Sequence, residues 1–473
     1  MISVVIPVIR PQNIPRLLEC LKEAITIDHE ILYTEDTERI GAPKMVKKLV
    51  DSSKGDWVCF LGDDTLPYPK SIDLAHEFAI KGDYWLVGLN DQHSRKPTHW
   101  LASKKLLEKL ANQEFFYTGY FHNFCDDELR IKADAMGKYA WCEQAKLDHN
   151  HPVFKTAPMD EHYKRVLNQE RWEHDKKLFQ QRCCKLSVAI IAKNEEVMLP
   201  RCLRSVREAD EIIVVDTGST DQTVEIAKQW GAKIGFTPWE DDFSKARNYA
   251  KSLCTGDWIL SIDADEYLDE DVIPQLKELM LTSKDAIGIQ LKSGTMKYHV
   301  PRLFRNKPNV FWYGRIHELV NVSDFDKCHV GITFTFSPAH ALDPDRNLRM
   351  LEKAAEESPG NARILYYLGR EYGYRRAWAK AISTLEQYLV IGKWLPERAD
   401  AHFIKALCHW NNGEGEKARE CCLSALNINA NFEAACSLMA SMSFEHNAKQ
   451  WRKMAETATN ENTLFARKRF DTI

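Results

Sequence analysis

Long apolar runs are missing from this chain: no stretch approaches the roughly 18 residues of a membrane-spanning helix. A basic tail or extended Lys/Arg run is missing too, and the net charge is only -4, so the chain as a whole lacks the electrostatic footprint of a nucleic-acid-binding protein. None of the 13 cysteines stands in a CxxC pattern, and the adjacent pairs Cys183-Cys184 and Cys421-Cys422 belong to no regular framework. Reduced thiols in a cytosolic protein are the expectation, and the cysteines give zinc little support. The N-terminus runs directly into Ser3-Val4-Val5-Ile6-Pro7 with no charged lead, which reads as a first strand and not a signal peptide. The expected location is cytoplasmic, or peripheral at a membrane surface. With 473 residues the chain is too long for one compact core and should hold about three domains.

The stretch Gly256-Asp257-Trp258-Ile259-Leu260-Ser261-Ile262-Asp263-Ala264-Asp265-Glu266 is the one around which the rest is organised. A short apolar run of buried-strand character is cut off by three acidic residues. At the C-terminal end of a strand in an open α/β sheet, such carboxylates face a ligand crevice. Two carboxylates on alternate residues can hold a hard divalent cation and leave positions for phosphate oxygens. The plain alternative is an acidic loop capping the next helix.

Residues 1–157 alternate strand-like and helix-like stretches, a βαβ series with a parallel sheet. Residues 158–184 read as a charged helical connector. At Leu186 the alternation begins again and continues to residue 345. Gly55-Asp56-Trp57-Val58 matches Gly256-Asp257-Trp258-Ile259, and Phe60-Leu61-Gly62-Asp63-Asp64 matches Ser261-Ile262-Asp263-Ala264-Asp265. The reading is an internal repeat at domain scale. From 346 to 473 strand-like runs disappear. Gly369 and Ala381 stand twelve residues apart, as do Ala406 and Ala418, and Ala440 follows Ala406 by 34 residues. Small residues at that spacing let paired helices approach closely, as in a tetratricopeptide array, whereas an irregular bundle would show it only by chance.

The series Ala189-Ile190-Ile191-Ala192-Lys193-Asn194-Glu195-Glu196, Val214-Val215-Asp216-Thr217-Gly218-Ser219-Thr220-Asp221, Ala246-Arg247-Asn248-Tyr249-Ala250 and Asp263-Ala264-Asp265 resembles the family 2 glycosyltransferases. It is most similar to the branch of lipopolysaccharide-core glucosyltransferases, some of which carry tetratricopeptide repeats. The resemblance implies two tandem GT-A (nucleotide-sugar-binding, Rossmann-like) α/β domains followed by an all-α helical domain. It further implies Mn2+ or Mg2+ as cofactor and a nucleotide sugar, of the UDP type, as donor.

On that resemblance, Asn194, Glu195, Asp216 and Asp221 line the base pocket, with Pro7 in the matching strand of the first copy. Asp216 and Asp221 are equally suited to capping a turn. Arg247, Arg302 and Arg305 are expected on the diphosphate, since a guanidinium matches phosphate oxygens; surface ion pairing is the plain alternative. Asp263, Asp265 and His340 are the expected metal ligands. Inverting transfer needs a base for the acceptor hydroxyl; in Gly314-Arg315-Ile316-His317-Glu318-Leu319 that base is Glu318, with His317 as runner-up. In the first copy Gly62 replaces the first aspartate, leaving Asp63 and Asp64 with His149 and His151 for a cation. Asp127, in Asn123-Phe124-Cys125-Asp126-Asp127-Glu128, is the base expected there.

The expected function is a bifunctional, metal-dependent, inverting glycosyltransferase acting on a glycan, lipid-linked or protein-linked hydroxyl. The helical array would hold the acceptor or join a homodimer. Rival readings are a phage-type transferase acting on hydroxymethylated DNA bases, a single active domain with an inert first copy, a nucleotidyltransferase, and a non-enzymatic adaptor built on the repeats.

Overall fold

The computed structural model describes residues 1–110, 115–269, 272–282, 284–293 and 296–459. Strands β1 (Ile2–Val8), β2 (His29–Glu35), β3 (Trp57–Phe60), β4 (Thr65–Pro67), β5 (Leu86–Asn90), β6 (Trp100–Ser103) and β7 (Tyr139–His149) form one sheet in the order β2-β1-β3-β6-β5-β7-β4. All seven residues of β1 are buried, which explains why this central parallel strand reads as a continuous apolar run. The sequence suggested a purely parallel sheet, but the far half is mixed. β6 runs antiparallel to both β3 and β5, and β4 runs antiparallel to β7.

The second sheet repeats this plan. It uses β8 (Leu186–Ala192), β9 (Glu211–Asp216), β10 (Lys233–Phe236), β11 (Trp258–Ser261), β12 (Glu266–Leu268), β13 (Ala286–Ser293) and β14 (Met296–Arg305). After a two-stranded ribbon of β15 (Trp312–Tyr313) and β16 (Leu319–Val320), β17 (Asp326–Phe334) joins it. The order is β10-β9-β8-β11-β14-β13-β17-β12, a GT-A-like arrangement of parallel strands continued by a mixed half.

One device recurs at the same place in both sheets. The Gly55 amide donates to Ser3 Oγ at 2.8 Å, and that hydroxyl donates to Glu30; Gly256, Ser187 and Glu211 make the same chain. A Cβ on Gly55 would lie 2.6 Å from the Ser3 nitrogen, and one on Gly256 would lie 2.7 Å from the Lys185 oxygen. Only glycine fits that approach to the first strand.

In each sheet the acidic turn joins a central strand to the short strand at the far edge: Leu61 to Asp64 links β3 to β4, and Ile262 to Asp265 links β11 to β12. The chain must turn sharply to cross the sheet, which sets the turn's carboxylates, buried or half-buried, beyond the strand ends. Helices Glu161–Val166 and Gln169–Cys183 connect the two α/β units. Phe179 and Cys183 belong to an apolar cluster that also contains Leu129 and Leu260, so the two units share a core.

Beyond η-type turn Pro338–Leu342, seven helices run from Arg346–Glu357 to Glu445–Thr457 among the described residues. Ala381, Ala406, Ala418 and Ala440 are buried, and a Cβ on Gly369 would meet Leu385 Cγ at 2.6 Å. The small residues therefore sit where paired helices touch. No helix among the described residues is long and apolar enough to cross a membrane.

Asp400 is buried in this array and accepts from the Tyr366 hydroxyl at 2.5 Å. Burial, only partly offset by that hydrogen bond, pushes its carboxyl up to about 7. A carboxyl raised in the folded state holds a proton that the unfolded chain has released. Stability therefore falls as pH climbs from the ordinary carboxylate range to about 7. Asp400→Asn keeps an acceptor for Tyr366 and should raise the array's melting temperature by about 2–4 °C above neutral pH, with no gain in acid. Thermal scans across that range check it.

Candidate active site

The acidic turn of the second α/β domain opens into a cavity of about 2190 Å³ walled on one side by the sheet and on the other by the helical array. Asn194, Glu195, Asp263, Asp265, Arg302 and His340 line it, together with Arg247, His317 and Glu318. Residues expected from separate stretches of sequence thus meet in one cleft. Three expected residues, Asp216, Asp221 and Arg305, are not part of that lining.

Asp263 is gripped by two arginines. Arg247 Nη2 lies 2.7 Å from Oδ1, and Arg302 Nη2 lies 3.3 Å from Oδ2. Burial alone would raise this carboxyl, but the two guanidinium groups outweigh it and hold Asp263 well below the usual range. Both of its oxygens are thus engaged by guanidinium groups at the edge of the cleft. Asp265 is different. Burial and then the charge of Asp263 push its carboxyl up to about 6, and His340 Nε2 lies 3.7 Å from Asp265 Oδ2.

Two more carboxyls crowd this turn. Glu195 is driven by burial, and then by Asp265, up to about 7, although Ser337 Oγ donates to it at 2.6 Å. Buried Glu266, which the sequence reading left without a role, accepts from the Asp263 amide and from Arg302. Burial pushes it up to about 7 against the pull of Arg302. Such crowding of carboxyls disfavours their ionisation until a cation joins them. Asp265 and His340 form a mixed oxygen and nitrogen donor pair that fits Mn2+ or Mg2+, with the remaining positions left to phosphate oxygens and water.

The arginines separate by strand register. β14 pairs antiparallel with β11, placing Leu303 beside Leu260 and Arg305 beside Trp258. Arg302 therefore stands at the acidic end of β11, whereas Arg305 stands at the opposite end. There Arg305 bonds the carbonyls of Thr282 and Lys284 and stacks on Trp258, which corrects its expected place on the diphosphate. Arg247 lines the cleft with its guanidinium bonded to Glu318, Ser261 and Asp263, an arrangement that orders the site. Arg302 Nη1 is buried without a hydrogen-bond partner among the described residues, a donor suited to an anion arriving in the cleft.

Asn194, at φ +57°, turns its side-chain oxygen to the Thr220 amide. Asp216 closes the turn after β9 through the amides of Gly218 and Ser219. Asp221 accepts from Thr223 and from the Glu196 amide, the capping arrangement to which its sequence is equally suited.

Glu318 accepts from Arg247 Nε at 2.6 Å through Oε1, and its other oxygen has no hydrogen-bond partner among the described residues. The loop that carries it is held by the helical array. Ile316 packs into the array's core with Leu351 and Leu365, and Arg363 donates to the His317 carbonyl. The His317 ring stacks on Tyr367 with centroids 3.7 Å apart and planes at 19°. Burial, reinforced by Arg370 and Arg363, lowers its pKa to about 3. A ring so packed and so weakly basic is a brace, which corrects His317 as the alternative base.

The first domain differs at each expected position. Asp63 is buried, and its oxygens accept from the amides of Ile9 and Arg10 and from the Arg10 guanidinium. It ties down this loop and lies outside the group formed by Asp64, His99 and His149. His151 Nδ1 accepts from the Val153 amide, so its expected metal role is likewise replaced by capping. Pro7 is buried within β1 beside Thr34 and offers a base nothing. Asp127, in the first turn of helix Cys125–Ala135, is paired with Lys96 at 3.0 Å and lies outside the group formed by Asp64, His99 and His149. His99, which the sequence reading missed, joins Asp64 and His149 because Gly62 leaves room for it. A Cβ on Gly62 would lie 3.3 Å from His99 Nε2.

Residues 187–338 match the family model described as Glycosyl transferase family 2. A TPR repeat-containing protein of Synechococcus elongatus is 44% identical over 145 residues, covering 29% of this chain and 36% of that protein. Glycosyltransferase SunS of Bacillus phage SPbeta is 28% identical over 248 residues, covering 47% of this chain and 57% of SunS. The chain thus spans less than two thirds of either relative. Among solved structures, S. aureus TarS in complex with UDP-GlcNAc aligns with 58% of this chain and 91% of its own, at 14% identity and a TM-score of 0.29.

Proposed function

We propose that the second α/β domain transfers a sugar from a nucleotide-sugar donor, of the UDP type, to an acceptor hydroxyl with inversion. The observation that carries this reading is the convergence, inside a segment matching the family 2 model, of Asp265, His340, Arg302 and Glu318 on one cleft. The nucleotide lies against Asn194, Glu195 and the Asp216 turn. Asp265 and His340 hold the divalent cation, which offsets charge on the departing diphosphate when bound. Arg302 Nη1 supplies a donor to the same anion. Arg247 fixes Asp263 and Glu318 relative to each other, so the donor-binding turn and the base keep one geometry. Glu318 takes the acceptor proton through its unengaged oxygen.

Arg363, Tyr367, Tyr374 and Trp394 of the helical array face the same cleft, and we assign that wall to the acceptor, a glycan or a polypeptide. A single transfer site is favoured over a bifunctional enzyme. In the first domain the Tyr163 hydroxyl donates to Asp64 Oδ2 at 2.6 Å, and Arg10 stacks on the Tyr163 ring. The connector therefore occupies the place where a donor's phosphates would lie. A donor-hydrolysis screen of nucleotide sugars with Mn2+ tests both statements: activity should vanish in Asp265→Ala and persist in Asp64→Ala. Activity retained in Asp265→Ala and lost in Asp64→Ala would reverse the assignment.

Because Tyr367 braces the loop that carries Glu318, Tyr367→Ala should lower kcat by about tenfold, a loss of roughly 1.4 kcal/mol in the transition state. Donor KM should barely move. Steady-state kinetics with varied donor separate the two parameters.

A further inference from the structure

We propose that the first α/β domain binds one divalent transition ion of the zinc class through Asp64, His99 and His149, with no nucleotide required. This goes beyond the transfer site and does not depend on it. Ligand atoms of the three side chains all lie within 4.8 Å of one another. A tetrahedral ion about 2.0–2.1 Å from each nitrogen and oxygen brings such atoms to roughly 3.4 Å, a small closure from what is present.

Three strands deliver the ligands to one end of the sheet. Asp64 follows β3, His99 immediately precedes β6, and His149 ends β7. The glycine at position 62 makes this possible, since a Cβ there would sit 2.5 Å from Asp64 Oδ1 and 3.3 Å from His99 Nε2. In the second domain an aspartate fills that position, and no comparable three-ligand group exists there among the described residues.

Behind the ligands stands a carboxylate that reaches His99 through Thr98 and lies close to His149, whose buried Nδ1 has no hydrogen-bond partner among the described residues. Asp91 is wholly buried and fixed by the amides of His93 and Ser94. Its Oδ2 lies 3.9 Å from His149 Nδ1 and accepts from Thr98 Oγ1, which in turn touches His99 Nδ1 at 3.2 Å. With Nδ1 of each ring turned to that side, the Nε2 edges are turned toward Asp64, and His149 Nε2 is 3.8 Å from Asp64 Oδ2. A carboxylate behind a metal-bound histidine is the usual outer support of such a centre. The Tyr163 hydroxyl on Asp64 Oδ2 orients the third ligand in the same way.

Two imidazoles and one carboxylate favour a borderline ion over Mg2+ or Ca2+. The donor set contains no cysteine, so the cysteine spacing that usually signals zinc carries no trace of it.

The test uses the full chain, stripped of metal with a chelator and titrated with Zn2+, Mg2+ and Co2+ in the absence of nucleotide. One equivalent of Zn2+ should bind, Mg2+ should not compete, and Co2+ should give the visible absorption of a low-coordinate site. His99→Ala should weaken Zn2+ binding by about 100-fold or more and Asp91→Asn by about 10–100-fold, while Asp265→Ala should leave it unchanged. Circular dichroism confirms that each variant is folded, and the wild-type Co2+ spectrum stands even if one is not. Absence of Zn2+ binding in the wild type, or equal binding in folded His99→Ala, would overturn the proposal. Loss of the Zn2+ equivalent in Asp265→Ala would place the ion in the second domain instead.

Discussion

Glu318→Gln should lower the transfer rate by about 10²–10⁴-fold, the usual contribution of a positioned general base. Glutamine retains an oxygen that accepts from Arg247 Nε, so the loop and the Asp263 contact should survive and donor affinity should stay at the wild-type value. The expected signature is a fall in kcat with unchanged binding of the nucleotide diphosphate, read by single-turnover kinetics and calorimetry. Full activity in Glu318→Gln would remove Glu318 from the mechanism. A parallel fall in donor affinity would mean that its pairing with Arg247, at 2.6 Å, is the residue's whole purpose.

Asp265→Ala should have the second large effect, for a different reason. The turn carries Asp263, Asp265, Glu266 and Glu195 in close company, and three of these carboxyls are raised by burial and mutual repulsion. A cation held there by Asp265 and His340 would relieve that crowding and would offset charge on the leaving diphosphate, a contribution of several kcal/mol. Removing Asp265 takes one of the two protein ligands and should cost about 10²-fold or more in turnover, with most of the Mn2+ dependence lost. Asp265→Asn should be intermediate, since it keeps an oxygen donor but not the charge. Turnover measured against Mn2+ concentration for both variants distinguishes ligand loss from misfolding.

Much of this architecture could be read from the chain because burial leaves a local record. The strands β1, β8 and β11 are almost wholly buried and appear as apolar runs broken only by a serine in each. Small residues at Gly369, Ala381, Ala406 and Ala418 announced the paired helices. The antiparallel half of each sheet left no such record, because strand direction is set by pairing with distant segments. That omission explains the error at Arg305. Three residues along a strand is about 10 Å, enough to move a side chain from the acidic end of β11 to its other end.

Other site features are non-local in the same sense. Nothing near His317 in sequence indicates that its ring packs on Tyr367, fifty residues away in a different layer. His99 has no motif around it; its place depends on the missing side chain at Gly62 and on β6 lying next to β3. Tyr163 was visible only as an apolar point on a connector helix, yet its hydroxyl seals Asp64. Conversely, the Asp-x-Asp turn, Arg302 and Glu318, each singled out from a short local pattern, do line one cleft.

Crystals grown with UDP and Mn2+ and recorded at the manganese absorption edge give the most direct test of the transfer site. The account predicts an anomalous peak between Asp265 and His340, with diphosphate oxygens on the ion and Arg302 Nη1 turned to the same phosphates. A cleft that holds UDP with no manganese at Asp265, or an Asp265 side chain turned away into the protein with UDP bound elsewhere, would contradict it.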